Sequence, residues 1–434
     1  MTSPTRPSTA YLDALRARTD RLAAAAGPVS SPHAGADSAP VAAAVEQRAA
    51  TLLALSHDLF DHPEEAFQEV RSAAAVADLV RAAGIEVQVG VFGQPTALLA
   101  AIGDGDGPTV ALLAEYDALP GIGHGCGHNV IAAAAVGAFL ALADVERPPG
   151  RVVLLGTPAE EGHSGKELLA REGAFDGLDA ALMVHPFGYD AVDHSFIGRR
   201  ILRVHYEGVA AHASATPFMG RNALDAVALH YQAVALLRQH LPPGDRVHGI
   251  VTRGGDRPSI VPHRASLEYY LRSPAAATLL ELSRRLADVS AGVALATGTG
   301  VRLEWDPQPF TLPIRFNGPL SARWAVHQGE RGRKALTSAV VPAELAASTD
   351  FGNVSVRVPG IHPVIAVAPP EVALHTDEFG TFARGPEGDR AVLDGAYGLA
   401  ATALDLLADP ALLADVRADF AAAGGVTDVA RYFD

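Results

Sequence analysis

The sequence has almost no cysteine: one residue, Cys126, in 434. No disulfide can form within the chain, which fits a reducing, cytoplasmic setting. It lacks an uninterrupted apolar run long enough to cross a bilayer. Its start, Met1–Thr19, carries Pro, Ser and Arg without the apolar core of a signal peptide, so a secreted or membrane form is not expected. It also lacks an excess of positive charge. The formal net charge is −15, which argues against nucleic acid or an anionic membrane surface as partner. No internal repeat is present.

What is there is globular in composition, with 49% hydrophobic and 19% charged residues. The length predicts two domains. Residues 1–40, rich in Ala, Ser and Pro, read as a partly disordered segment with a helix around Tyr11–Ala26. Helical patterns follow at Val41–His62 and Val70–Ala83. Short apolar runs of the kind buried parallel strands show then alternate with helices: Thr109–Ala114, Arg151–Gly156 and Ala180–Val184, with helices at Val130–Ala143 and Lys166–Glu172. From about Arg199 the pattern changes to four strands and two helices (Asn222–His240, Ala275–Thr297). After Pro313 it returns to helix and buried strand, including Pro363–Val367, and a helix at Arg390–Leu407 closes the fold. The expectation is an α/β catalytic domain, 41–198 and 313–434, built on a mostly parallel sheet with helices on both faces. A smaller α+β domain, 199–312, is inserted into it.

In open α/β sheets ligands bind outside the carboxyl ends of strands. Four strand ends here deliver metal-competent residues. The first leads to Glu115-Tyr-Asp117 and then His124-Gly-Cys126-Gly-His128, the second to Glu160-Glu161, the third to His185 and the fourth to His375. Cys126 and His128, two apart among glycines, can face one point, and thiolate with imidazole suits zinc or a similar transition metal. Adjacent carboxylates at 160 and 161 allow one to ligate while the other serves as base, and each raises the other's proton affinity. Asp117 is placed either to orient a ligand or to cap a turn. His185 and His375 say little alone. His212, in a small-residue loop of the insert, is either a surface residue or a group presented to a site, and Asn222 is an expected helix N-cap. A nucleophilic Cys126 beside His124 or His128 is the rival chemistry, and a catalytically silent binding protein is the third reading.

The strings AEYDALPGIGHGCGHN, GTPAEEG, VHP, GVAAHASATP with GRNALDA, GGDRPSIVPHRASLEYYLRSP, STDFGNVS, VPGIHP and ALHTDEF span about 50–400. Together they resemble the aminoacylase and carboxypeptidase family of co-catalytic metallopeptidases. Within it they are similar to the amidohydrolase branch, which includes p-aminobenzoyl-glutamate hydrolase and β-alanyl-lysine dipeptidase-like proteins. The resemblance implies that Cys126, His128, Glu161, His185 and His375 ligate two divalent metals, zinc foremost, with manganese or cobalt as alternatives. It implies that Glu160 is the general base, supported by Asp117, and that His212 reaches a partner subunit's site to stabilise the tetrahedral intermediate. It makes Asn222, Ser259 and Arg272 substrate-binding positions, and the insert a ferredoxin-like lid and homodimer interface. The implied reaction is hydrolysis of an amide bond in a small substrate such as a dipeptide, an N-acyl amino acid or an aryl-amide of glutamate. One departure stands out: Ser259 occupies a place where the family usually has Asn, so recognition of the substrate's carboxylate end is expected to differ.

Overall fold

The computed structural model describes residues 5, 7–103 and 105–433. They form two compact units: residues up to Ser195 with Arg315–Ala346 and Val354–Val429, and a second of Phe196–Ile314 with Ala347–Asn353 and Ala430–Asp434. The two short later segments of the second unit lie outside the inserted span that sequence patterning marks.

The first unit carries a six-stranded sheet. Its order is Val87–Val89, Leu98–Gly103, Arg151–Gly156, Thr109–Ala114, Ala180–Leu182, Gly360–Ile361. The last four strands are mutually parallel, and Leu98–Gly103 runs antiparallel to both of its neighbours. Thr109–Ala114 and Arg151–Gly156 coincide with their predicted spans because each is an apolar run that buries both faces. Leu98–Gly103 is a strand that sequence patterning does not mark. Its partner register, Leu98 opposite Gly156, is a long-range fact.

Between the first two parallel strands runs helix His128–Asp144. Every residue from His128 to Leu142 is buried, as expected for a helix that is apolar all round. It packs closely on helices Ala39–Asp61 and Pro386–Ala408. A Cβ at Gly137 would lie 2.7 Å from Leu52 Cδ1 and 2.9 Å from Ala396 Cβ. The helix starts two residues earlier than periodicity predicts, so His128 and Asn129 belong to its first turn. Asp409 then caps a further helix, Pro410–Ala422, beyond the one expected to end the fold, its carboxylate accepting from the Ala411 N–H.

One described helix, Pro386–Ala408, is long and apolar enough by length and composition to cross a membrane. Its most apolar 18-residue window is 89% buried within the protein. Asp394 and Asp405 interrupt its apolar run, which hides it from a search for continuous stretches. Within 1–40, helix Ala10–Ala25 is followed by a stretch tied down through His33. Its ring nitrogens lie 3.0 Å from Asp409 Oδ2 and 3.1 Å from Asp415 Oδ2.

The second unit is a four-stranded antiparallel sheet ordered Gly300–Trp305, Gly198–Glu207, Arg264–Ser273, Arg246–Arg253. Helices Ala223–Leu237 and Ala276–Thr297 complete a β-α-β-β-α-β succession, the ferredoxin-like arrangement. Strand Arg264–Ser273 alternates buried and half-exposed residues, with Leu267, Tyr269 and Leu271 on the core face.

Candidate metal centre

Ala114 and Gly156 are in register on neighbouring parallel strands, so the two loops that follow emerge at one level. From there one connection runs outward to Arg151–Gly156 and the next crosses back to Ala180–Leu182 on the other side, which opens a crevice at the carboxyl ends. A two-stranded parallel ladder, His185–Phe187 with Val364–Ala366, fixes His185, whose N–H donates to Pro363 O at 2.9 Å. His375 arrives by a different device. Its backbone is left-handed at φ 62°, and its N–H donates to Gly125 O at 2.9 Å. The approach is close: a Cβ at Gly125 would lie 2.6 Å from Ile122 Cγ2 and 3.2 Å from Thr376 O, so a larger residue would make both give.

The structure brings together all five residues that the motifs nominate as ligands. Donor atoms of Cys126, His128 and His185 lie within 4.8 Å of one another, as do those of Cys126, Glu161 and His375, and those of His128, Glu160 and Glu161. Cys126 Sγ is 3.5 Å from His185 Nε2, and His375 Nε2 is 3.5 Å from Glu161 Oε1. His128 Nε2 stands 3.4 Å from Glu115 Oε2 and 3.9 Å from Glu161 Oε1. Ligand atoms held about 2.1 Å from a tetrahedral cation stand roughly 3.4 Å apart, longer than a good N–H···O bond. Three of these atoms, His128 Nε2, Glu115 Oε2 and Glu161 Oε1, are buried with no hydrogen-bond partner. Native interiors rarely leave such atoms orphaned, and a cation would satisfy them. The donor set therefore fits a metal.

Asp117 does what an orienting carboxylate should. Oδ1 lies 3.2 Å from His128 Nδ1, and Oδ2 accepts the Glu161 N–H at 2.8 Å. It therefore fixes the side chain of one nominated ligand and the backbone of another, with Nε2 of His128 turned to the cluster. His185 is oriented likewise, its Nδ1 2.8 Å from Pro186 O.

The electrostatics agree. Burial opposes charge on His128, yet Cys126, Glu115 and Asp117 outweigh it and raise the imidazole well above its usual range. The carboxylates that raise this fully buried ring favour positive charge at the cluster. Burial, with Asp117 beside it, also raises Glu161. Burial drives His185 down to about 4, so it is a neutral ring at ordinary pH. Asp117 is lowered despite burial, because His128 lies against it. The Cys126 thiol is pushed up by burial and by Glu161, which disfavours a free thiolate nucleophile. His124 is buried with neither ring nitrogen hydrogen-bonded, and burial lowers it to about 3. It supports the turn and is absent from the donor groups.

Three residues of this neighbourhood receive no role in the sequence reading, although Glu115 and His362 lie inside its motifs. Glu115 and Lys166, both fully buried, form an ion pair beneath His128. Glu115 is only two residues from Asp117, a signal that could have found it. His362 stacks on His185 with ring centroids 5.5 Å apart.

The remaining nominated residues lie in the second unit. His212 Nδ1 accepts from the Ser214 N–H at 3.3 Å and the Ala215 N–H at 3.2 Å. This leaves the ring proton on Nε2. Asn222 is the expected N-cap, its Oδ1 accepting the Leu224 N–H at 2.9 Å. Ser259 O accepts the Ala213 N–H at 3.0 Å, beside the His212 loop. Arg272 lies on the sheet opposite Arg199, and both guanidinium groups approach the Tyr270 ring, at 5.1 and 5.4 Å. Burial and then Arg199 lower Arg272.

Comparison with known proteins matches the motif resemblance. Residues 111–389 match Peptidase family M20/M25/M40. The chain is 39% identical over 394 residues to the Xaa-Arg dipeptidase of Mus musculus, covering 87% of this chain and 90% of that one. It is 31% identical over 441 residues to one of the subunits of the p-aminobenzoyl-glutamate hydrolase of Escherichia coli (strain K12), covering 84% and 90%. Among solved structures, the Bacillus subtilis YXEP protein, a dinuclear metal binding peptidase, superposes with a TM-score of 0.64 at 19% identity, over 83% of this chain and 99% of that one. An aminobenzoyl-glutamate utilization protein from Klebsiella pneumoniae gives 0.62 at 19% identity, over 83% and 97%. The chain belongs to Peptidase family M20/M25/M40, and its reaction is metal-dependent hydrolysis of an amide bond.

Proposed function

We propose that the chain is a dipeptidase or N-acyl amino acid hydrolase working with two divalent cations, zinc foremost, held by Cys126, His128, Glu161, His185 and His375. The observation that carries this reading is the convergence of those donor atoms on one crevice, with Glu160 grouped beside His128 and Glu161. Bound cations supply Lewis acidity, polarising the carbonyl and lowering the pKa of water. Glu160 takes the proton of the attacking water and returns it to the departing amine. His212, whose Nδ1 is occupied as an acceptor, offers its Nε2–H to the oxyanion developing in a partner subunit's site, as the family resemblance implies.

The substrate reading follows the relatives in order of identity: a dipeptide with C-terminal Arg first, an aryl-amide of glutamate second. In either, a carboxylate must be held. Arg272 is the candidate, because it is half-buried, stands against Arg199 and has no carboxylate partner among the described residues. A homodimer is supported by exposed apolar residues of the second unit. Leu224, Leu229, Tyr231 and Leu236 on helix Ala223–Leu237 accompany Ile250 and Val251 on the edge strand Arg246–Arg253. A thiol among the ligands favours a reducing, cytoplasmic compartment.

The test is reconstitution. Chelated protein is reloaded with zinc, manganese or cobalt and offered alanyl-arginine, other dipeptides, N-acyl amino acids and p-aminobenzoyl-glutamate, with free amine measured. Metal-restored turnover that Glu160→Gln abolishes supports the reading. Chelator-resistant turnover, dependent on Cys126 alone, would revive the thiol nucleophile and sink it.

A further inference from the structure

The loop carrying Glu160 and Glu161 turns through Ala159, which is left-handed at φ 62°. An L residue with a Cβ resists that conformation, so something must hold it. Ala159 N–H donates to Glu69 Oε1 at 3.0 Å, and Ala159 O accepts the Gly165 N–H at 2.9 Å. The same Glu69 oxygen accepts the N–H of Phe67 at 2.8 Å, and Phe67 is itself left-handed at φ 64°. Glu69 Oε2 accepts the Thr96 hydroxyl at 2.8 Å. The carboxylate is fully buried and sits at the N-terminus of helix Val70–Ala82, where negative charge is favoured. A second contact pins the same loop: the Phe67 ring meets His163 edge-on, centroids 5.0 Å apart.

We infer that Glu69 is a positioning residue for hydrolysis: one buried carboxylate oxygen gathers two left-handed backbone N–H groups and so fixes the direction in which Glu160 and Glu161 are presented. The inference rests on Glu160 acting as the general base. The reasoning is that charge-assisted bonds to a buried acceptor are strong and directional, and that displacement of a base by about 1 Å costs roughly 100-fold. Glu69 touches neither substrate nor cation in this role. It acts through the backbone of Ala159.

The experiment is a double-substitution cycle on the metal-loaded enzyme with alanyl-arginine, or the best substrate of the panel above. Glu69→Gln keeps the shape but turns one acceptor into a donor. Ala159→Gly removes the steric resistance to positive φ, so the loop needs its clamp less. The expected result is a fall in kcat of about tenfold for Glu69→Gln, with KM and metal content little changed. In the Ala159→Gly background the same change should cost about threefold or less. An equal cost in both backgrounds, or no loss of kcat, overturns the inference. Should Glu69→Gln fail to fold, Thr96→Val loosens the same carboxylate while leaving its charge, and the same coupling to Ala159→Gly is expected. Glu160→Gln separates the two claims. If it turns over substrate normally, the general-base reading fails. If it is dead while the cycle shows no coupling, only the role of Glu69 fails.

Discussion

Replacing Asp117 with Asn keeps the size of the side chain and removes its ability to accept twice. In the native arrangement its two oxygens serve His128 Nδ1 at 3.2 Å and the Glu161 N–H at 2.8 Å. If the Asn carbonyl stays on Glu161, its amide N–H group faces His128 Nδ1. That nitrogen must then accept, which moves the imidazole proton to Nε2, the nitrogen aimed at the metal cluster. If the amide is turned the other way, its N–H group meets the Glu161 N–H, donor against donor. Either choice spoils one of the proposed ligands. A hydrogen bond to a charged group is worth about 1.5–3 kcal/mol. Loss of an orienting partner costs about 10- to 100-fold in metal affinity, or roughly 1.4–2.7 kcal/mol. The assay is metal content after dialysis against graded chelator, with kcat measured on fully reloaded protein. Both should fall, and kcat should stay depressed even at saturating metal, because the tautomer remains wrong. If Asp117→Asn retains metal as tightly as the unaltered protein and turns over at the same rate, the account of Asp117 as the fixing group is refuted.

Three further outcomes are expected. Lys166→Met should destabilise the first unit by about 3–5 kcal/mol, since it strands the buried Glu115 charge; chemical denaturation would show it, and an unchanged midpoint would contradict the pairing. Gly127→Ala should weaken metal binding, because Gly127 is left-handed at φ 81° and a Cβ would lie 2.8 Å from Pro186 Cγ, next to His185; equilibrium metal titration reads the effect. In the second unit, burial lowers His230 to about 4. Its folded pKa lies below the unfolded value of about 6.5, so the unfolded chain binds more protons in that window and stability is lost as pH falls from about 6.5 towards 4. The loss is on the order of 3 kcal/mol. His230→Phe should flatten that part of the pH–stability profile in urea titrations, and an unchanged slope would exclude His230 as the cause.

The parts of the site that were legible in the sequence are those set by local rules. Apolar runs ending in glycine or acidic turns located two strand ends, and the residues just beyond them are the ones that converge. His375 carried little signal alone, because what brings it in is one backbone bond to Gly125 O, 250 residues earlier in the chain. Glu69 gave none. Its importance lies in an Ala with positive φ, a conformation that composition does not advertise. Lys166 reads as an ordinary helical lysine until the fold carries it to Glu115. Strand Leu98–Gly103 was missed for a similar reason: a short apolar stretch becomes a strand only when a partner such as Arg151–Gly156 is in place.

The inserted span 199–312, the main segment of the second unit, enters and leaves through neighbouring backbone. Arg199 and Thr311 exchange both hydrogen bonds, N–H to O at 2.8 Å in one direction and 3.0 Å in the other. Residues 198 and 312 are therefore as near as the flanks of a tight hairpin, and a turn of about two residues would rejoin them. To the chain on either side, the whole insert is equivalent to a loop. Such a cassette can be exchanged between relatives, lengthened or trimmed with no change of strand order elsewhere. Laboratory chimeras can use this joint, because the strands on either side need no rearrangement to accept a different insert.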